Sequence, residues 1–131
     1  MLELRSTALS EGETVPVRFT CDGDNLSPPL SWSGVPEGAT ELRISSLDPD
    51  APSGAFTHWL VTGIDPSSTG VEEGSVPRGG TAEVNSFGEP AYGGPCPPRG
   101  DDPHRYVFTI EAVDAAGEVL ASATLTTTYG R

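Results

Sequence analysis

Glycine and proline punctuate the whole chain, and this pattern most limits the folds open to it. There are 16 Gly and 13 Pro residues among 131. They separate short runs in which apolar and polar residues alternate, and no window of ten or more residues keeps an apolar period of 3.6. The pattern predicts a nearly all-β protein with antiparallel strands, a sandwich or a barrel.

The alternating runs give the predicted strands. We expect strands at residues 14–20, 41–48, 58–64, 105–114 and 119–129, the last two forming a hairpin, and an extended segment at 27–32. Residues 65–90 contain no convincing strand, apart from brief pairing near 81–84. The length suits a single domain spanning residues 1–131.

The charge balance is strongly acidic. Asp and Glu number 19 against 7 Lys and Arg, all of them arginine, so the net charge is −12. Such a chain is not expected to bind nucleic acid or anionic membrane surfaces. Molar salt, with a Debye length of roughly 3 Å, would screen its self-repulsion. We therefore expect a salt-adapted protein. An ordinary acidic protein from a GC-rich genome is the alternative.

Segments that would direct the chain to a membrane or out of the cell are not evident. No run approaches the roughly 20 apolar residues of a membrane span. The first residues lack the basic and apolar regions of a signal peptide. We expect a cytoplasmic protein without stable membrane insertion. Cys21 and Cys96 lie 75 residues apart and form no CxxC motif, so a zinc knuckle is excluded. In a reducing cytosol two buried free thiols are expected, with a disulfide as the alternative.

Polar side chains on stiff backbone mark the candidate site. Residues 48–59 place two carboxylates and two prolines within five residues, followed by a glycine turn and His58. Strand parity groups three polar residues with apolar ones: Asp48 with Leu42 and Ile44, His58 with Leu60 and Ile64, His104 with Tyr106 and Phe108. Their side chains should therefore point inward at strand ends. Trp59, of opposite parity to His58, should pack in the core on the other side. Unpartnered burial costs several kcal/mol, so the three polar groups should serve each other or a ligand.

Three chemistries can be weighed for these residues. Hydrolysis would need a nucleophile such as Ser53, but no G-x-S-x-G motif is present. Asp48, His58 and His104 form a two-histidine, one-carboxylate set that could hold a metal, although their spacing gives no support. An anion pocket fits best. The glycines of residues 93–100 would offer backbone N–H groups, the histidines would add N–H donors, and Asp48 would orient one of them.

Four ordered motifs carry a family resemblance. They are Asp48-Pro-Asp-Ala-Pro52, His58-Trp-Leu-Val61, Gly94-Pro-Cys-Pro-Pro98 and His104-Arg-Tyr-Val-Phe108. Together they resemble the phosphatidylethanolamine-binding protein family. Residues 19–23, 27–32 and 123–131 resemble its bacterial and archaeal branch, often called Raf kinase inhibitor-like. The resemblance covers essentially the whole chain.

The resemblance implies an antiparallel β-sandwich with a large and a small sheet, little helix, and a pocket for phosphate, acetate or phosphorylated head groups. The implied ligand-binding residues are Asp48, Pro52, His58, Gly94, Pro95, His104 and Tyr106. No catalytic residue, cofactor or metal is implied. The chain stops at Arg131 and joins its last two strands by Ala115–Glu118 alone, so we expect no C-terminal lid helix and an open pocket.

We therefore predict a non-enzymatic protein that binds a small anion or a phosphorylated group, such as a phospholipid head group. Such a protein could act as a regulator. The alternative is a protein-interaction module that inhibits a protease or a kinase through the pocket rim. The physiological ligand, any protein partner and the oligomeric state are left open.

Overall fold

The computed structural model describes residues 1–131 and contains eight strands and no α-helix. The strands are β1 (Glu3–Arg5), β2 (Leu30–Ser33), β3 (Glu41–Asp48), β4 (Phe56–Ile64), β5 (Gly70–Val71), β6 (Thr81–Ala82), β7 (His104–Val113) and β8 (Val119–Tyr129). One 3-10 turn covers Val17–Phe19. No helix has the length and hydropathy needed to cross a membrane.

Two antiparallel sheets form the architecture. The small sheet has the order β1-β2-β5, and the large sheet has the order β6-β4-β3-β7-β8. A single core of 18 buried apolar residues draws on both sheets, with Trp32 from the small one and Leu42, Trp59 and Phe108 from the large one. The predicted all-β fold with a large and a small antiparallel sheet is confirmed.

The longer strands match the alternation of the sequence. Strands β3 and β8 have the predicted bounds, β4 begins two residues earlier at Phe56, and β7 begins one residue earlier at His104. The short strand β6 lies within the predicted region of brief pairing. Strands β1 and β5 were not predicted, because three and two residues are too few to show alternation.

The strand predicted at residues 14–20 is wrong. Thr14 forms only an isolated bridge to Thr128, and a 3-10 turn follows. Pro16 has no N–H group and cannot continue a ladder. The turn breaks the expected parity, since Phe19 is buried whereas the side chain of Val17 is 52% exposed.

A β-bulge in β4 changes the predicted orientation of its side chains. Ser46 pairs with Trp59 and Leu47 pairs with Thr57, so His58 is an extra residue in β4. As a result His58 and Trp59 are both buried, whereas Leu60 is only half-buried. The predicted grouping of His58 with Leu60 on the buried face, opposite to Trp59, is therefore wrong, although the inward direction of His58 is confirmed.

Cys21 and Cys96 form a disulfide with a Cα–Cα distance of 5.4 Å. The expectation of two free thiols is therefore wrong. The Cys21 N–H group also donates to the Pro95 carbonyl at 3.1 Å, so packing brings the two segments side by side. The bond fastens the segment after the 3-10 turn to the loop at residues 93–100.

Candidate functional site

The candidate site lies at one end of the large sheet, where its three central strands, β4, β3 and β7, begin or end. Asp48 ends β3, His58 is in the bulge near the start of β4, and His104 and Tyr106 begin β7. Because these strands run antiparallel, the end of β3 lies beside the starts of the other two. All four side chains are buried, with at most 5% exposed.

These side chains form the inner wall of a cavity of about 270 Å³. Its wall consists of Asp48, Ala51, Pro52, Ser53, Phe56, His58, Phe87, Cys96, Pro97, Pro98, His104 and Tyr106. Five of the seven predicted ligand-binding residues thus meet around one space. Gly94 and Pro95 lie outside this wall, and their contact with a ligand stays a prediction.

Asp48 is held by two hydrogen bonds. Its Oδ2 atom accepts a bond of 2.6 Å from Nδ1–H of His104, and its Oδ1 atom accepts one of 2.8 Å from the Asp50 backbone N–H. The second bond fixes the turn that follows β3. The carboxylate thus orients His104 and the turn together, and the predicted orienting contact with a histidine is present.

His104 is enclosed by carboxylates on both sides. Its Nε2 atom lies 3.2 Å from Oδ2 of Asp101, in addition to the contact with Asp48. Burial lowers the pKa of His104, but the hydrogen bonds to Asp48 and Asp101 together raise it by more, so its pKa stands above the usual value. Because carboxylates only accept, the two contacts favour the imidazolium form, in which both ring nitrogens carry protons.

His58 has the opposite character. Its Nδ1–H group donates to the Gly93 carbonyl at 2.8 Å. Burial lowers its pKa, and the hydrogen bond to Gly93 and the charge of Asp48 only partly oppose this effect. The ring is therefore neutral at neutral pH. With the proton on Nδ1, the Nε2 atom presents a lone pair.

Tyr106 carries a polar group without a partner. Its side chain is fully buried, and its hydroxyl is the one sealed side-chain polar atom that forms no hydrogen bond. Burial and the nearby charge of Asp48 raise the pKa of this hydroxyl, so it stays protonated. A buried hydroxyl without a partner costs about 1–3 kcal/mol, which a bound group could recover.

The backbone N–H groups of the loop at residues 93–100 are already engaged. Gly93 N–H donates to the His58 carbonyl at 2.9 Å, and Gly94 N–H donates to Oδ1 of Asn25 at 2.8 Å. Gly100 N–H donates to the Arg131 carbonyl at 3.2 Å. The expectation that these glycines offer free N–H groups to an anion is therefore wrong. Gly94 is needed for close packing instead, since a Cβ there would overlap the Phe19 carbonyl.

Ion pairs anchor the two loops that border the cavity. Asp50 accepts three bonds of 2.8–3.0 Å from the backbone and guanidinium of Arg105, which hold its pKa down at about 2. This ties the turn that bears Pro52 to β7. On the other side, Arg131 donates to Asp22 at 3.1 Å and to the Pro97 carbonyl at 2.8 Å. Both walls are thus fastened to the sheet.

Sequence patterns did not single out two of the residues around the site. Phe87 lies on the long irregular segment, 48% exposed, with its ring edge-on to Phe56 at 4.7 Å between centroids. No periodicity marks such a residue. Asp101 lies three residues before His104 in the chain and contacts its ring. The adjacent acidic residues Asp101 and Asp102, just before β7, were the sequence feature that could have indicated this contact.

The geometry also bears on the two other chemistries. Ser53 borders the cavity, but its hydroxyl makes no hydrogen bond to either histidine. No group of three or more His, Cys, Asp and Glu side chains has the arrangement of a metal site. His104 has no free lone pair, because both of its nitrogens face carboxylates. The arrangement is better suited to hydrogen bonding of a small polar group.

Comparison with known proteins extends the family resemblance over the chain. A family model described as phosphatidylethanolamine-binding protein matches residues 5–130. A UPF0098 protein of Methanothermobacter thermautotrophicus is 46% identical over 118 residues, which are 86% of this chain and 77% of that protein. LppC of Mycobacterium tuberculosis is 43% identical over 123 residues. It is described as a candidate lipoprotein. That match covers 94% of this chain and only 61% of LppC.

Two crystal structures share the fold over nearly their whole length. CT736 of Chlamydia trachomatis, described as a homologue of phosphatidylethanolamine-binding protein, superposes with a TM-score of 0.91 at 33% identity, covering 99% of this chain and 97% of CT736. YbcL of Escherichia coli, described as a new member of the mammalian family, has a TM-score of 0.92 at 30% identity, covering 99% and 98%. A carboxypeptidase Y inhibitor, at 17% identity and a TM-score of 0.61, shares the fold alone.

Proposed function

This chain belongs to the phosphatidylethanolamine-binding protein family, and we propose that it is a non-enzymatic protein that binds a small anion or phosphorylated group. The observation that carries the proposal is the unpartnered hydroxyl of Tyr106 in the wall of the cavity. A native structure seldom leaves such a group without a partner, and a bound oxyanion would accept a hydrogen bond from it.

The charge of His104 supports a polar ligand. The imidazolium lies in the cavity wall, held by Asp48 and Asp101. It contributes a positive charge to the cavity wall, and its ring stacks on that of Tyr106 with 6.5 Å between centroids. His58 faces the same ring edge-on at 5.2 Å. Three polar side chains therefore converge on a space suited to one small group.

The mouth of the cavity supports an organic substituent on that group. Phe56 and Phe87, whose rings meet edge-on, line the cavity together with Pro97 and Pro98. Ligand pockets commonly combine apolar walls with a few polar groups that fix orientation. A volume of about 270 Å³ suits a phosphate with a short substituent better than a whole lipid. We propose a head-group-sized ligand.

The test is titration with inorganic phosphate and with phosphoethanolamine, followed by NMR of the two histidine rings. We expect both rings to shift, and Tyr106→Phe to weaken binding by about tenfold, because one hydrogen bond to a charged group is lost. Glu118→Gln, a surface change in the β7–β8 turn, is the control. Unshifted histidine signals at saturating ligand would overturn the proposal. Capture of a protein through the cavity rim without anion binding would favour the inhibitor alternative.

The expected cytoplasmic location stays a prediction, and the disulfide counts against a reducing compartment, where such bonds are rare. Salt adaptation also stays a prediction, supported by the net charge of −12. Both have direct tests, given in the Discussion.

A further inference from the structure

The polar atoms that line the cavity do not match the needs of a fully deprotonated oxyanion. Such an anion accepts hydrogen bonds and donates none. The two N–H groups of His104 are already given to Asp48 and Asp101. The single N–H group of neutral His58 is given to the Gly93 carbonyl. The Tyr106 hydroxyl is the remaining side-chain donor: it forms no hydrogen bond of standard geometry, although the Asp48 carboxylate lies close to it.

The free atom of His58 is an acceptor. Its Nε2 atom has no hydrogen bond within the protein, and it is absent from the sealed unpartnered atoms, so it is open to the cavity that the residue lines. Because the Gly93 carbonyl can only accept, the proton of the neutral ring stays on Nδ1. The cavity therefore presents one open acceptor, on His58, and the unpartnered Tyr106 hydroxyl is sealed within the wall beside it.

The charges around His58 also disfavour a fully deprotonated oxyanion. The titratable groups that face it are Asp48 from β3 and His104 and Tyr106 from β7, with Asp101 behind His104. Cys96, also in the wall, is in the disulfide and does not titrate. Two carboxylates, one imidazolium and a neutral phenol leave one net negative charge. A dianion beside this set is repelled more than a monoanion.

We propose that His58 makes the cavity selective for an oxyanion that carries its own proton, the monoanion of a phosphate monoester, over oxyanions that carry none. The ligand O–H group donates to Nε2 of His58, and one of its other oxygens accepts from Tyr106. When the free ligand is a dianion, binding takes up one proton from solvent, which then lies between the ligand oxygen and His58 Nε2. This inference rests on the proposed anion binding and specifies the ligand class.

Methyl phosphate and methyl sulfate distinguish selectivity for a protonated oxyanion from anion binding in general. Both are available as monoanions of similar size, but only methyl phosphate has an O–H group. Calorimetric titration at about pH 6, where about half of the methyl phosphate is monoanionic, in molar KCl is expected to give at least about tenfold tighter binding of methyl phosphate, because methyl sulfate leaves the buried acceptor unpaired. At pH 8, titration in buffers of different ionisation enthalpy is expected to show uptake of about one proton per bound methyl phosphate.

His58→Gln removes the proton requirement, since the amide can offer either a donor or an acceptor. We expect this variant to bind the two ligands within about threefold of each other and to take up close to no protons, whereas Glu118→Gln keeps the wild-type ratio. A second measurement needs no variant. Nitrogen-15 NMR of the free wild-type protein is expected to show His58 protonated on Nδ1 alone at pH 7.

The outcomes are distinct. Equal affinity for both ligands without proton uptake, or a His58 ring protonated on Nε2 in the free protein, would overturn the selectivity while leaving anion binding intact. Absence of binding by either ligand at millimolar concentration would overturn the anion-binding function and the selectivity together.

Discussion

Nδ1 of His104 lies 2.6 Å from Oδ2 of Asp48, and both side chains are almost entirely buried. The pair joins the end of β3 to the start of β7 at the inner wall of the cavity. A buried charge that loses its partner is costly, so this contact links the stability of the sheet edge to the electrostatics of the site.

Asp48→Asn should therefore destabilise the fold. The amide oxygen can still accept from His104, but the negative charge that compensates the imidazolium is lost. We expect the free energy of unfolding to fall by about 1–3 kcal/mol, measured by urea unfolding followed by tryptophan fluorescence. Glu118→Gln removes an exposed carboxylate and serves as the matched control. Equal midpoints for Asp48→Asn and wild type would contradict this role of the pair.

His104 should make stability depend on pH above neutrality. Its pKa is raised in the folded protein, so its contribution is fully present below the unfolded pKa of about 6.5. The contribution is lost as pH rises through the folded pKa. We expect the free energy of unfolding of the wild type to decline over this window, and that of His104→Gln to stay flatter. Identical slopes in the two proteins would rule out this assignment.

His58 should act on the acid side. Its folded pKa is lowered, so its contribution to stability is present above about pH 6.5 and is lost as pH falls through the folded value. The physical cause is that charging the buried ring requires its desolvation. His58→Gln should lose less stability than wild type between about pH 6.5 and 4. Urea unfolding at several pH values measures this, and the prediction fails if both proteins lose the same amount.

The disulfide should stabilise the fold strongly, because it closes a segment of 75 residues. Loop-closure entropy for that length corresponds to roughly 4 kcal/mol, within the usual range of 2–5 for removal of a native bridge. Reduction, or the Cys21→Ser/Cys96→Ser double variant, should lower the free energy of unfolding by that amount. Amide hydrogen exchange should also rise in residues 93–100. Labelling of thiols at quenched pH in cells of the source organism would report the compartment, since free thiols there would indicate a reducing one.

Salt should raise the thermal stability. The net charge of −12 repels itself in dilute buffer, and a Debye length of roughly 3 Å in 1 M KCl screens that repulsion. Each kcal/mol of repulsion relieved should raise Tm by roughly 4 °C in a domain of this size. Calorimetric melts in 0.05 and 1 M KCl test this, with sucrose at equal osmolality as the control. Unchanged Tm would remove the argument for salt adaptation.

Local pattern was a good guide to the sheet. The bounds of β3 and β8 could be predicted because alternation over eight or more residues is a property of the strand itself. The inward direction of Asp48 and His104 followed from the same parity. Parity failed where the backbone departs from a regular ladder, at the turn after Pro16 and at the His58 bulge.

The sequence predicted which residues form the site better than it predicted their hydrogen-bonding roles. The sequence motifs identified four residues that the fold places around one cavity: Asp48, His58, His104 and Tyr106. The two histidines, however, were expected to act alike as donors. Their partners decide otherwise, because His104 meets two carboxylates while His58 meets the Gly93 carbonyl.

The sequence by itself determined the all-β class, the family and the strand ends at which polar side chains turn inward. Only the tertiary structure decided which residues meet there. The disulfide joins residues 75 apart, Asn25 takes the N–H of Gly94, and the Tyr106 hydroxyl is left without a partner. Alternation is set by neighbours along one strand, whereas these contacts depend on how sheets and loops pack. That packing gives His58 an open acceptor and His104 a fixed charge.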